Sequence, residues 1–165
     1  MTASVDRTDM IVVRSVGWND AAAVALREKM EEEMSARYAD RFAAKPDYLP
    51  RGMNVEPESV AYTGVAYAGP DLPVGHAALR RLGVDLELKR MFVAPSHRGA
   101  GVARVLLDAV EDAARALGGS RIILHTGDRQ PDAVRVYERE GYVPIPLFPP
   151  YERLEGSHCF EKSLL

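Results

Sequence analysis

The residues most able to do chemistry lie between a strand-like run, Leu86 to Val93, and a helical run that opens at Val102. The connection reads Ala94-Pro95-Ser96-His97-Arg98-Gly99-Ala100-Gly101. The first N–H groups of a helix have no intrahelical acceptor, and the helix dipole puts partial positive charge at the same point. Gly99 and Gly101 tolerate left-handed backbone and let a ligand approach the main chain without meeting a Cβ. Arg98 adds a fixed positive charge. These residues describe an anion site suited to phosphate or pyrophosphate. The same residues would also serve a tight strand-to-helix turn that holds no ligand.

Two common phosphate motifs do not fit. A P-loop needs Gly-Lys-Ser/Thr, which the chain lacks. A dinucleotide fingerprint needs a third glycine where Arg104 stands. Arg98-Gly99-Ala100-Gly101-Val102-Ala103 instead matches Q/R-x-x-G-x-G/A. With the preceding ELKRMFV strand it resembles the acetyl-CoA-binding motif of the GNAT N-acetyltransferase superfamily. Downstream, Ala133-Val-Arg-Val-Tyr137-Glu-Arg-Glu-Gly141-Tyr142 resembles that family's A-x-x-L-Y-x-x-x-G-F segment. The two motifs together span residues 86 to 145.

The resemblance implies an α+β fold: a mixed, mostly antiparallel sheet of about seven strands, helices on both faces and a splayed central cleft. Acetyl-CoA would be the cosubstrate, with its pantetheine arm along Met91, Phe92 and Val93. Its pyrophosphate would rest on Arg98, Gly99, Ala100, Gly101, Val102 and Ala103. Gln130 stands where the family often has an asparagine that contacts the cofactor. Tyr137 matches the tyrosine that in many members protonates the departing thiolate. Glu87 corresponds to a general-base glutamate of several members, and His125 to a base that others carry on the next strand.

The acceptor implied is a primary amine, most simply on a small molecule. An amine with a pKa of about 10.4 is neutral only to roughly one part in a few thousand at pH 7, so a base is worth having. For Glu87 the alternative is an ion pair with a neighbouring Lys or Arg on the sheet; for His125 it is a packed, hydrogen-bonded ring. A protein or peptide acceptor, or a module that binds acyl-CoA without catalysis, stays open.

The elements that must carry these groups follow from periodicity. Met10 to Val16 is rich in β-branched residues and predicts a first strand. Asn19 or Asp20 can cap a helix from Ala21, along which Ala22, Leu26, Met30, Met34 and Tyr38 form an apolar stripe. Glu31, Glu32 and Glu33 lie off that stripe, as a solvated face or as an acidic rim for a cationic amine. Prolines and Gly52 make Phe42 to Glu58 a loop, or a loop with a short helical turn. Ser59 to Ala68, Val74 to Leu82 and Leu86 to Val93 read as strands of two successive hairpins. Val102, Val105, Leu106, Ala109, Val110, Ala113 and Leu117 mark the buried face of the next helix. Arg121 to Thr126 is a nearly continuous apolar strand, expected at a sheet's centre. Pro131 opens a helix that Gly141 ends. Tyr142 to Ile145 and His158 to Leu164 close the sheet. The proline-rich loop between them, with Phe148 and Tyr151, could close over a small substrate.

At 165 residues the chain predicts one domain, 1–165, with residues 1–9 flexible. A net charge of −3 gives no sign of a general nucleic-acid or membrane-surface binder. Cys159 is the single cysteine, which excludes an internal disulfide and fits a reducing cytoplasm. No apolar run is long enough to span a bilayer. His76, His97 and His158 lack metal-ligand spacing, so no metal is expected. A homodimer is left open.

Overall fold

The computed structural model describes residues 10–50 and 52–165, so the expected flexibility of residues 1–9 lies outside the described residues. The strands are β1 (Ile11–Ser15), β2 (Val60–Ala68), β3 (Pro73–Leu82), β4 (Asp85–Val93), β5 (Arg121–Gly127), β6 (Val143–Ile145) and β7 (Ser157–Ser163). They form one seven-stranded sheet in the order β1-β2-β3-β4-β5-β7-β6. Every neighbouring pair is antiparallel except β4 and β5, which run parallel. The parallel step requires a crossover, and α3 (Val102–Ala116) supplies it.

Side-chain alternation sorts the helices between the faces. Ala66, Ala77, Leu79, Leu88, Ile122 and Leu124 point to one face and bury against Leu106, Leu107 and Val110 of α3. Tyr137 of α4 (Pro131–Arg139) joins that core. Val65 and Phe92 point the other way, against Ala23 and Leu26 of α1 (Ala21–Arg37). The Asp20 carboxylate caps α1 by accepting from the Ala23 N–H at 3.1 Å.

Three details differ from the periodic reading. The first helix stops at Arg37; the backbone bends at Tyr38, and α2 (Ala39–Ala44) runs into the start of the stretch read as loop or loop with a short helical turn. Helix α3 is buried over a broader arc, through Leu107, Glu111 and Ala114, while Leu117 caps its end and is 37% exposed. Glu111 hides this arc in the sequence because a carboxylate reads as solvent-facing; here it is buried in an ion pair with Lys162 of β7. The proline-rich loop is also anchored through one of its aromatics. Tyr151 is wholly buried and stacks on His125 with ring centres 3.9 Å apart.

Gly75 lets α3 sit close to β3. A Cβ there would come within 2.8 Å of Leu106 Cδ1, 3.0 Å of Val102 Cγ1 and 3.2 Å of the Phe92 carbonyl oxygen. Those contacts set the first turns of α3, whose N-terminus is the expected anion site. Gly75→Ala should overpack this junction by about 1–3 kcal/mol and lower the melting temperature by roughly 3–10 °C. A thermal scan in which Gly75→Ala melts with the wild type would show that α3 has room to move.

Candidate active site

β4 and β5 are paired only at Leu86–Ile122, Glu87–Ile123 and Leu88–Leu124, and beyond that fork they separate. The rest of β4 keeps its β3 neighbour and loses the other. The Ala94 N–H donates to the Val74 carbonyl at 2.8 Å, so alternation turns Phe92 N–H toward β3 and Met91 and Val93 toward the gap. The gap opens into a cleft of about 1290 Å³. Met91, Phe92, Val93, Arg98, Gly99, Gly101, Val102, Ala103, Gln130 and Tyr137 all line it, whereas Ala100 is half-buried in the turn and does not.

A bulge shapes the floor of the cleft. The β3–β4 register shifts between His76 and Ala78, and Arg90 takes a left-handed φ of 55°, rare for a residue with a side chain. His76 secures it. Arg27 can only donate, so Nε2 of His76 accepts from Arg27 Nη1 at 2.9 Å and the ring proton sits on Nδ1. Nδ1 then donates to the Arg90 carbonyl at 2.8 Å. Because the peptide is planar and trans, the following N–H, that of Met91, is aimed the opposite way. An N–H so fixed can stabilise an oxyanion formed beside it.

At the far end of β4, Gly101 adopts a φ of 81° and precedes α3 without any side-chain cap. The first-turn N–H groups of α3 are therefore open to an anion. Arg98 stands beside them, donating to the Val93 carbonyl at 3.0 Å and to Glu33 of α1 at 2.6 Å. Glu33 also pairs with Arg37, which lowers its pKa further. So Glu33 is not part of a free acidic rim, while Glu31 and Glu32 are exposed.

The candidate acid–base groups separate sharply. Glu87 is fully buried and does not line the cleft. Oε1 accepts from Arg80 Nε at 2.6 Å and Oε2 from the Tyr151 hydroxyl at 2.7 Å. Its ion pair with a neighbouring arginine is the alternative that the sequence left open. His125 does line the cleft, with Nε2 2.9 Å from Ser157 Oγ. Burial and the nearby Lys89 pull its pKa down to about 3, so it is neutral over the working range. Tyr137 lines the cleft from α4, packed edge-on to Tyr142 at 5.7 Å. Burial raises its pKa and keeps the phenol protonated. Gln130 Nε2 donates to the Tyr38 hydroxyl at 3.3 Å.

Sequence reasoning passed over Lys89, Arg90, Thr126 and Ser157, all in the cleft wall. The signal available was Lys89-Arg90, two adjacent cations inside a largely buried strand. Lys89 Nζ donates to the Tyr151 hydroxyl at 2.9 Å, and desolvation pulls its pKa down to about 7.

Helices α1 and α2 cross the cleft and are tied to its β5 side. Arg37 pairs with Asp132 at 3.1 Å, Arg41 with Asp128 at 2.6 Å, and Arg129 with Asp40. Gly127 leaves the space that the Tyr38 hydroxyl fills, since a Cβ there would collide with it.

Two histidines are held neutral by burial, His76 with a pKa pulled to about 4 and His125 to about 3. As pH falls below about 6.5 the unfolded chain takes up protons that the folded one refuses. Their stabilisation is thus complete above about 6.5 and drains as pH drops toward 4. His125→Gln should show a shallower decline in melting temperature between pH 6.5 and 4 than the wild type. Parallel curves would mean that His125 is not held neutral.

Comparison with known proteins converges on the same geometry. The family model of the acetyltransferase (GNAT) family matches residues 24–142. An IAA acetyltransferase of Azospirillum brasilense is 31% identical over 133 residues, spanning 81% of this chain and 87% of that protein. A solved structure from Klebsiella pneumoniae, assigned to the acyl-CoA N-acyltransferases, is 26% identical with a TM-score of 0.74, covering 94% of this chain and 99% of that one. A spermidine N-acetyltransferase from Vibrio cholerae, dodecameric in its structure, shares the fold alone, with a TM-score of 0.61 at 17% identity and coverage of 94% and 95%. With the forked sheet, the bulged fourth strand and the uncapped helix after it already in place, these matches make the chain a member of the GNAT acetyltransferase family, whose cosubstrate is acetyl-CoA.

Proposed function

We propose that the protein transfers the acetyl group of acetyl-CoA to a primary amine on a small molecule, by direct attack within the cleft. The observation that carries this reading is the continuity of the free β4 edge with the uncapped start of α3. Pantetheine amides pair with the N–H and C=O groups of Met91 and Val93 much as an added strand would. The pyrophosphate takes the first-turn N–H groups of α3, displacing Glu33 as the partner of Arg98. The thioester carbonyl then lies at the bulge, where Met91 N–H can meet the oxyanion.

The acceptor enters from the α1 side. Met30, Met34, Tyr38 and Leu154 line that side, and the ion pairs of α1 and α2 across the cleft narrow it. A cleft bridged by these ion pairs favours a small acceptor over a peptide laid in a groove.

The amine attacks as the neutral species, and its nitrogen becomes far more acidic once the N–C bond forms. That proton passes to water in the cleft; His125, held neutral with a pKa of about 3, lines the path rather than keeping the proton. Glu87 fixes Arg80 and Tyr151 rather than meeting the amine. Tyr137 gives its proton to the CoA thiolate as the C–S bond breaks, leaving N-acetylated amine and CoA. Mixing the wild-type protein with acetyl-CoA and a panel of small primary amines should release CoA. Tyr137→Phe keeps the ring and its packing, so kcat should fall by about tenfold to a thousandfold with acetyl-CoA affinity and melting temperature unchanged. Activity only toward peptides would move the acceptor to the protein class. Acetyl-CoA binding with no transfer to any amine would leave a binding module.

A further inference from the structure

The acceptor half of the cleft is cationic, and among the described residues none of its three cations forms a direct ion pair; Glu87 acts on Lys89 and Asp20 on Arg27 only through space. Arg90, at the bulge, makes no ion pair and no side-chain hydrogen bond among the described residues. Lys89 is buried, and its one hydrogen bond among the described residues goes to the neutral Tyr151 hydroxyl at 2.9 Å. Arg27 of α1 donates to the Trp18 carbonyl at 2.5 Å and to His76, with its guanidinium 3.6 Å from the Trp18 ring centre. All three line the cleft. Burial lowers the pKa of each, and Arg90 lowers that of the other two.

The acids of the cleft wall do not relieve this. Glu33, Asp132 and Glu140 are each taken by an arginine. Glu31 and Glu155 are exposed. Glu31 and Glu87 act on Arg90 only through space, neither forming an ion pair with it. Holding cations in a half-buried cleft without a contacting counter-charge costs stability, because distant carboxylates only partly offset the desolvation. An anion entering the cleft supplies the missing attraction.

That anion is not the cofactor phosphate. β4 runs from Arg90 through Met91 and Val93 toward the turn at Arg98 and Gly101. With the pyrophosphate at α3, Arg90 lies at the opposite, thioester end of the pantetheine track. We infer that the acceptor amine carries a carboxylate, as an amino acid does, held by Arg90 and Lys89. The planar guanidinium of Arg90 presents paired donors that match a carboxylate, and Lys89 retains N–H donors not used by Tyr151. The apolar side chains of Met30, Met34 and Leu154 leave the body of the acceptor in an uncharged environment. A polyamine, with several positive charges and no anion, would meet repulsion here.

This inference rests on the acetyltransferase reading but can be tested apart from it. Wild-type kcat/KM should be compared for matched pairs that differ only by the carboxylate: leucine against 3-methylbutylamine, and phenylalanine against 2-phenylethylamine. The amino acid should be preferred by about tenfold to a hundredfold, the worth of a charge-assisted contact. Arg90→Met should erase the preference, mainly by raising KM for the amino acid, with acetyl-CoA affinity intact; Arg90→Lys should restore part of it. Calorimetry in the presence of CoA reads the same contact without turnover, through N-acetylleucine against N-(3-methylbutyl)acetamide. If no amine reacts but the acetylated amino acid binds more tightly, catalysis fails and carboxylate recognition stands. Equal or better use of the decarboxylated amines, equal binding of the two products, or loss of acetyl-CoA binding in Arg90→Met would overturn it.

Discussion

Three residue pairs hold β4 to β5, and what the molecule can do follows from their stopping there. Backbone N–H and C=O groups at the middle of a sheet ordinarily find partners in the next strand, and leaving them unmet in a dry interior is costly. Here the next strand turns away after Leu88 and Leu124, so the central edge of the sheet faces an open cleft. A linear ligand with its own amides can complete that edge. The bulge at Arg90 belongs to the same event: an extra residue on β4 breaks the alternation and adds local twist. The His76–Arg90 hydrogen bond then fixes the orientation of the displaced peptide.

The fork is kept in shape by a buried polar network. Tyr151 reaches both strands, stacking on His125 of β5 and bonding to Glu87 and Lys89 of β4. Arg80 completes the set, pairing with Glu87 and donating to the Gly52 carbonyl at 2.8 Å. Removing one member would strand a charge in a sealed site, which is far more damaging than the loss of an exposed pair. Glu87 is thus buried and fully engaged by Arg80 and Tyr151 in a chemically suggestive place. The tyrosine that seals it comes from a loop of turns, where its N–H donates to the Phe148 carbonyl at 2.9 Å and its carbonyl accepts from the Leu154 N–H at 3.1 Å.

Much of this could be read from residues alone, and the exceptions share a cause. Gly99, Gly101 and the Val102 helix made the left-handed turn and the uncapped start of α3 legible, because both are local properties. The Tyr137 motif was legible for the same reason, since Ala133, Val136 and Tyr137 fall on one helical face. The fork itself came only with the family resemblance, because nothing in Leu86–Leu88 or Ile122–Leu124 says that their pairing will end. Tyr151 sealing Glu87, Glu111 meeting Lys162, and Glu33 taking Arg98 are contacts between residues far apart in sequence. Such pairings decide whether a charged residue is a reagent, a strut or a solvated side chain. Lys89 and Arg90 illustrate the point: their charge is visible in the sequence, and the absence of a direct ion pair to either among the described residues is not.

The central claim is that acetyl-CoA completes the unpaired edge of β4 and settles on the start of α3. Residue-resolved amide hydrogen exchange of the wild-type protein, with and without saturating acetyl-CoA, reads that claim at the groups concerned. The account predicts slowed exchange concentrated at Met91, Val93 and the first turn of α3, Val102 to Arg104, with little change in Phe92, whose N–H is directed toward β3. Unchanged exchange at Met91 and Val93 in the saturated protein, or protection confined to another surface, would contradict it.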